Sequence, residues 1–135
     1  MNGILADHNA DGHVEVLLRT LVSDDWLAMW NELGVPVLTF AELGLSSDVD
    51  DATLWRTCQR EQVVLITNNR NAAGPGSLQH VLDTETTSGC LPVFTLANAE
   101  GIRTDKNYAD RTAVRLLEYL LDIENYRGTA RIYVP

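Results

Sequence analysis

A chain of 135 residues is near the commonest size for one domain and can bury a real core, so a single domain spanning 1–135 is expected. Its 45% hydrophobic content is ordinary for a globular protein, but a net charge of −9 disfavours broad electrostatic binding to nucleic acid, so any such contact has to be local. Two cysteines, Cys58 and Cys90, provide neither a disulfide framework nor a metal-type pair.

The start, MNGILADHNADG, lacks a basic segment followed by a long apolar run, and no stretch is apolar for long enough to span a bilayer. A soluble, cytoplasmic protein without a membrane partner is the expectation. Lys106 is the only lysine and has no obvious partner, which argues against Schiff-base chemistry.

Gly3 to Ala6 form a short apolar run ending in Asp7, which suits a buried strand. Val14, Leu17, Leu18 and Leu21 then recur at helical spacing. Ser23 is placed to cap a second helix carrying Trp26, Leu27, Trp30 and Leu33, with Gly34 as its terminator. VPVLTF, residues 35–40, reads as a second strand, and Pro36 puts its start at a strand end or a sheet edge.

Ser47 and Asp50 resemble a capping box before a helix that carries Leu54, Trp55 and Cys58 on one face. VVLI is the third strand, and TNNRNAAGPG follows it as a loop rich in Gly, Pro and Asn. Ser77 opens a short helix with Leu78, Val81 and Leu82, and LPVFTL is the fourth strand. Glu100, Arg103 and Asp105 read as a polar loop beyond it. Ala113, Leu116, Leu117, Leu120 and Leu121 mark a long helix, and ARIYV makes a fifth strand.

Continuously apolar strands alternating with helices predict a three-layer α/β/α sandwich around a mostly parallel sheet of about five strands. Ligands of such sheets bind outside the carboxyl ends of the strands. That rule selects Asp7, His8 and Asn9 after strand one, and Thr67 to Asn71 after strand three.

Asp7 is placed to ligate a cation or act as a base, or more simply to cap the next helix and brace its loop. Asp50 and Asp51 suit the positive end of a helix dipole. The NNRN stretch, residues 68–71, reads either as a site or as a self-bonded turn, because asparagine side chains bond nearby backbone readily. His8, His13 and His80 lack metal-site spacing, the glycines at 74 and 76 do not make a P-loop, and there is no Gly-x-Ser-x-Gly elbow. Trp26, Trp30 and Trp55 fall on helical stripes and are expected to serve core packing. A receiver-type phosphoacceptor site is excluded, since Thr67-Asn68 and Val134-Pro135 supply neither its aspartate nor its lysine.

GILADHN and DATLWRTCQREQVVLITNNRN together resemble the PIN-like nuclease superfamily, in particular its short bacterial branch with a strand-Asp-x-Asn start. The pattern there is a helix-opening Asp, an apolar residue three later, a small residue seven later, and a strand ending in Thr-x-Asp-x-Asp. Asp51, Leu54, Cys58 and Thr67 stand in the matching register. The resemblance covers the first half of the chain, and the second half matches only in its order of elements.

What the resemblance implies is a divalent-metal-dependent, ribonuclease-type phosphodiesterase. In it Asp7, Asp51 and Asn69 would be catalytic, and Asp7, Asp51, Asn69 and Asn71 would hold Mg²⁺ or Mn²⁺. Asn9, Thr67, Asn68 and Arg70 would contact RNA locally. The chain departs from the family at three places: Asn69 and Asn71 stand where two acids are expected, and His8 where an acid is frequent. A carboxamide can ligate a hard cation but brings no charge. The other reading of this departure is an inactive PIN-like fold that binds a protein partner or forms a homodimer.

Overall fold

The structure, a computed structural model, describes residues 1–70 and 74–135. Five strands make one parallel sheet: β1 (Gly3–Ala6), β2 (Val37–Leu38), β3 (Val63–Thr67), β4 (Val93–Leu96) and β5 (Arg131–Val134), in the order β2-β1-β3-β4-β5. The chain moves outward from β1 to β2, then returns to the other side of β1 for β3. This reversal leaves a crevice between the carboxyl ends of β1 and β3, the place where open α/β sheets take ligands.

Alternation along the strands assigns each face its helices. Ile4, Ala6, Val64, Ile66, Phe94, Leu96, Ile132 and Val134 join a core with α1 (Asp11–Leu21), α5 (Ala99–Thr104) and α6 (Lys106–Leu121). Leu5, Val63, Leu65 and Val93 join a second core with α3 (Asp51–Glu61) and α4 (Leu78–Glu85). The result is a three-layer α/β/α sandwich. Fully buried side chains such as Phe94, Leu5 and Leu17 each contribute about 1.5–3 kcal/mol relative to exposure. On the α3/α4 side the strand positions turn polar toward the carboxyl edge, where Thr67 and Thr95 are fully buried and paired in register.

Several local expectations hold. Ser77 caps α4 by accepting from the His80 amide, and Gly34 ends α2 (Leu27–Leu33) with a φ of 66°. β2 is an edge strand just after Pro36. Gly3 lets β1 approach it closely, since a Cβ there would stand 2.6 Å from Leu38 Cδ1.

Other expectations need correction. The cap of α3 is Asp50, which accepts from Thr53 N at 2.7 Å, not Ser47. Ser23 does not cap α2, because its hydroxyl donates back to the Thr20 carbonyl. β2 shrinks to two residues, with Phe40 leaving the strand to start a 3₁₀ turn at Ala41–Leu43. The polar stretch after β4 is not a loop: Asn98 caps the short helix α5, which buries Ile102. The tryptophans do serve core packing, Trp55 buried and Trp26 and Trp30 half-buried against the α1/α5/α6 core, although α2 itself buries no residue. No helix among the described residues is long and apolar enough to cross a membrane.

Candidate functional site

Two aspartates distant in the chain are linked through Thr67 and Asn69, at the end of β3 and the turn after it. Asp7 leaves β1 with extended backbone and caps a 3₁₀ turn (His8–Ala10), its Oδ1 accepting from the His8 amide at 2.8 Å. Its Oδ2 accepts from the Thr67 hydroxyl at 2.9 Å. The bracing reading of Asp7 therefore holds: its carboxylate caps its own turn and accepts from Thr67 at the end of β3.

Thr67 is the hub. Its hydroxyl also lies 3.3 Å from Asn9 Oδ1, and its oxygen accepts from the Asn69 amide at 3.0 Å. Asn9 Oδ1 takes the Asn68 amide at 2.9 Å, tying the loop after β1 to the turn after β3. Beyond Thr67, Asn69 Nδ2 donates to Asp51 Oδ2 at 3.0 Å, and the same oxygen accepts the Leu78 amide that opens α4 at 3.1 Å. Asp51, the first residue of α3, thus links the amino ends of α3 and α4 to the β3 turn. Full burial of Thr67 means that its bonds to Asp7, Asn9 and Asn69 replace water that cannot reach the hydroxyl.

The remaining expected residues sort clearly. Asn68 enters through its backbone and Asn9 through its side chain. Arg70 reaches away from the crevice: its Nη2 donates to the Leu96 carbonyl at 2.7 Å and to the Ala97 carbonyl, at the end of β4. Asn71 lies outside the described residues. His8, where an acid is frequent in the resembled family, stacks on Phe40 with ring centroids 4.0 Å apart.

Asp50, the residue before Asp51, is an ordinary cap. Side-chain and backbone hydrogen bonding with Thr53 hold its carboxyl below the usual aspartate range. Burial, with Asp7's charge adding to it, pushes the Cys58 thiol up to about 12. A thiol so placed is neutral near pH 7 and is no nucleophile.

Among the described residues no three His, Cys, Asp or Glu side chains group to hold a metal ion, so Asp7 and Asp51 are the acids on offer. Each is already braced by protein donors, but a carboxylate has about four lone-pair sites, and these two keep acceptor capacity beyond the bonds described. Donors of this kind are the ones used for an ion that retains most of its water, as Mg²⁺ does when one or two carboxylates and a substrate phosphate hold it. They do not fit a closed cage of protein ligands.

One residue was missed by the sequence reading. Arg131 starts β5, yet its side chain runs along the α3/α4 face to the rim, where Nη1 donates to the Asn69 carbonyl at 2.8 Å and to Thr95 Oγ1 at 2.6 Å. Its Nε donates to Gln79 Oε1 at 3.1 Å. Burial lowers its pKa, so the charge is retained there against a desolvation cost. A guanidinium inside the otherwise apolar ARIYV run was the available signal, since a strand seldom buries a charge without giving it partners.

Comparison of the chain with family models, with curated proteins and with solved structures found no match.

Proposed function

We propose that the chain is a PIN-like domain acting as a divalent-metal-dependent, ribonuclease-type phosphodiesterase with a reduced acidic site. One observation supports this reading: Asp7 is bonded to Thr67, and Asn69 joins Thr67 through its backbone amide and Asp51 through its side chain, which ties two carboxylates to the end of β3 next to the place where the strand order reverses. In the proposed site Asp7 and Asp51 would hold Mg²⁺ or Mn²⁺. When bound, such an ion activates a water and offsets charge developing on a phosphodiester. Thr67 holds the Asp7 carboxylate in place, Asn9 and Asn68 fix the two loops against each other, and Asn69 orients Asp51. The chain's −9 charge confines contact with RNA to this rim. A cytoplasmic setting belongs to the same reading.

A second reading has its own support. Asn69 offers an N–H donor to Asp51 on the side where a family acid would have shared a cation, so protein donors alone brace both aspartates. On that view the domain is inactive and serves a protein partner or a homodimer.

Incubating purified protein with RNA and Mn²⁺ separates the two. The nuclease reading expects cleavage that disappears when Asp7→Asn and Asp51→Asn are combined; cleavage surviving that double change would come from a contaminant and end the claim. Calorimetric titration with Mn²⁺ gives an independent measure, since binding abolished by Asp7→Ala counts against the inactive reading.

A further inference from the structure

A second cluster stands at the carboxyl ends of β3, β4 and β5, beside the two-aspartate site and joined to it through the Asn69 carbonyl. Tyr133 lies beside Thr95 in the β4–β5 register and is 48% exposed, although its neighbours Ile132 and Val134 are buried. Two guanidinium groups approach its ring: the Arg70 carbon at 5.8 Å from the centroid and the Arg131 carbon at 5.9 Å. Neither arginine forms an ion pair among the described residues, whereas Arg56, Arg60, Arg103, Arg115 and Arg127 all do.

Their free donors are specific. Arg70 spends Nη2 on the two carbonyls that end β4, which anchors the guanidinium, and its Nε and Nη1 have no partner among the described residues. Arg131 uses Nε and Nη1, while its Nη2 is buried and has no partner among the described residues. Buried polar groups left in that condition are rare and call for a ligand, an ion or a water. Two like charges converging on one aromatic ring, with uncommitted donors and no carboxylate bonded to either among the described residues, suit an anion attached to a flat group. In the groove between α1 and α5–α6, about 720 Å³, Arg103 and Lys106 are already paired with Glu100 and Asp110, which leaves Arg19 as a single cation there without an ion pair among the described residues.

We propose that Tyr133 and Arg70 form a platform for single-stranded nucleic acid, with a base stacked on the exposed part of the Tyr133 ring and an adjoining phosphate on the Nε and Nη1 donors of Arg70. Arg131 is the positioning residue, joining the platform to the Asn69 carbonyl. Aromatic stacking beside arginine is the sequence-tolerant way to hold a single strand. β5 is two strand spacings, roughly 10 Å, from β3. A strand bound on the platform therefore runs along the rim toward Asp7 and Asp51. The inference rests on the reading of the rim as a phosphodiesterase site and names how its substrate is held.

The test is fluorescence anisotropy with short labelled single-stranded RNA and DNA of one sequence, at low salt and in EDTA so that no metal contributes. Wild-type protein should bind at least one of the two. Tyr133→Ala should weaken binding about fivefold or more, the lower range for one stacked base, and Tyr133→Phe should retain it. Arg70→Gln should weaken it and reduce the salt slope by about one phosphate contact. Equal binding by Tyr133→Ala and wild type, or no wild-type binding to either polymer, overturns the platform even if RNA is cleaved with Mn²⁺. Tyr133-dependent binding without any cleavage upholds the platform while the catalytic reading fails.

Discussion

The two ends of the rim solve opposite problems with the same turn. At the β1–β3 end, Asp7, Asn9 and Thr67 are bonded to one another and to Asn68 and Asn69, so the carboxylates are braced before any ligand arrives. At the β3–β5 end, Arg70 and Arg131 keep donors without a partner among the described residues, and Tyr133 stays half exposed. Asn69 belongs to both ends: its amide meets Thr67, its side chain meets Asp51, and its carbonyl meets Arg131. A chain of strongly negative net charge can thus still present a local pair of arginines, with the nearby acids engaged in bonds of their own.

The contrast is broken most severely at its hub. Thr67→Val preserves shape but deletes a donor to an ionised carboxylate and the acceptor for the Asn69 amide, in a fully buried place. Hydrogen bonds to charged groups contribute about 1.5–3 kcal/mol, and a buried donor left unpaired costs about 1–3 kcal/mol. We expect a loss of about 3 kcal/mol in urea unfolding; a loss under 1 kcal/mol would mean that Thr67 does not organise the acidic end.

The basic end should be less costly to disturb. Arg131→Met keeps an apolar stem and removes bonds to Gln79, Thr95 and the Asn69 carbonyl, while relieving the burial that lowers the guanidinium pKa. The opposed effects leave about 2 kcal/mol of destabilisation. Arg70→Met, on an exposed side chain, should stay within roughly 0.5 kcal/mol. Equal costs for the two arginines would remove the distinction between a positioning residue and a surface one.

Much of this was legible in the sequence, for reasons that differ between fold and site. Continuously apolar β1, β3 and β4 announce a sheet covered on both faces, and the carboxyl-end rule then brings Asp7 and Thr67 to the same edge. Asp51 is found only through its register with Leu54, Cys58 and Thr67, since by itself it reads as a helix-dipole acid. Arg131 was hidden because its Cα sits at the opposite end of β5 from the atoms that matter; a long side chain moves its chemistry two strand positions, level with Thr95. The helix α5 was hidden because its burial rests on Ile102, too little for a helical stripe.

The most discriminating change is made in the turn that both ends share. Asn69→Asp returns a carboxylate to the place where the carboxamide now donates to Asp51 at 3.0 Å. Two like charges there should cost about 1 kcal/mol at neutral pH in EDTA, a modest sum because the site is only half-buried. The sign with pH is fixed by the repulsion: the pair binds a proton more tightly folded than unfolded, so the deficit against wild type is full above the carboxylate range and closes as pH falls through it. An ion bound between the two acids would act in the opposite direction, stabilising the folded form by RT ln(1 + [Mn²⁺]/Kd). Thermal unfolding with and without Mn²⁺ should therefore show the variant below wild type in EDTA and gaining more than wild type from Mn²⁺. An identical response of the two proteins to Mn²⁺ would place any bound ion away from Asp51, and the acidic end would then be a brace for the loops rather than a metal site.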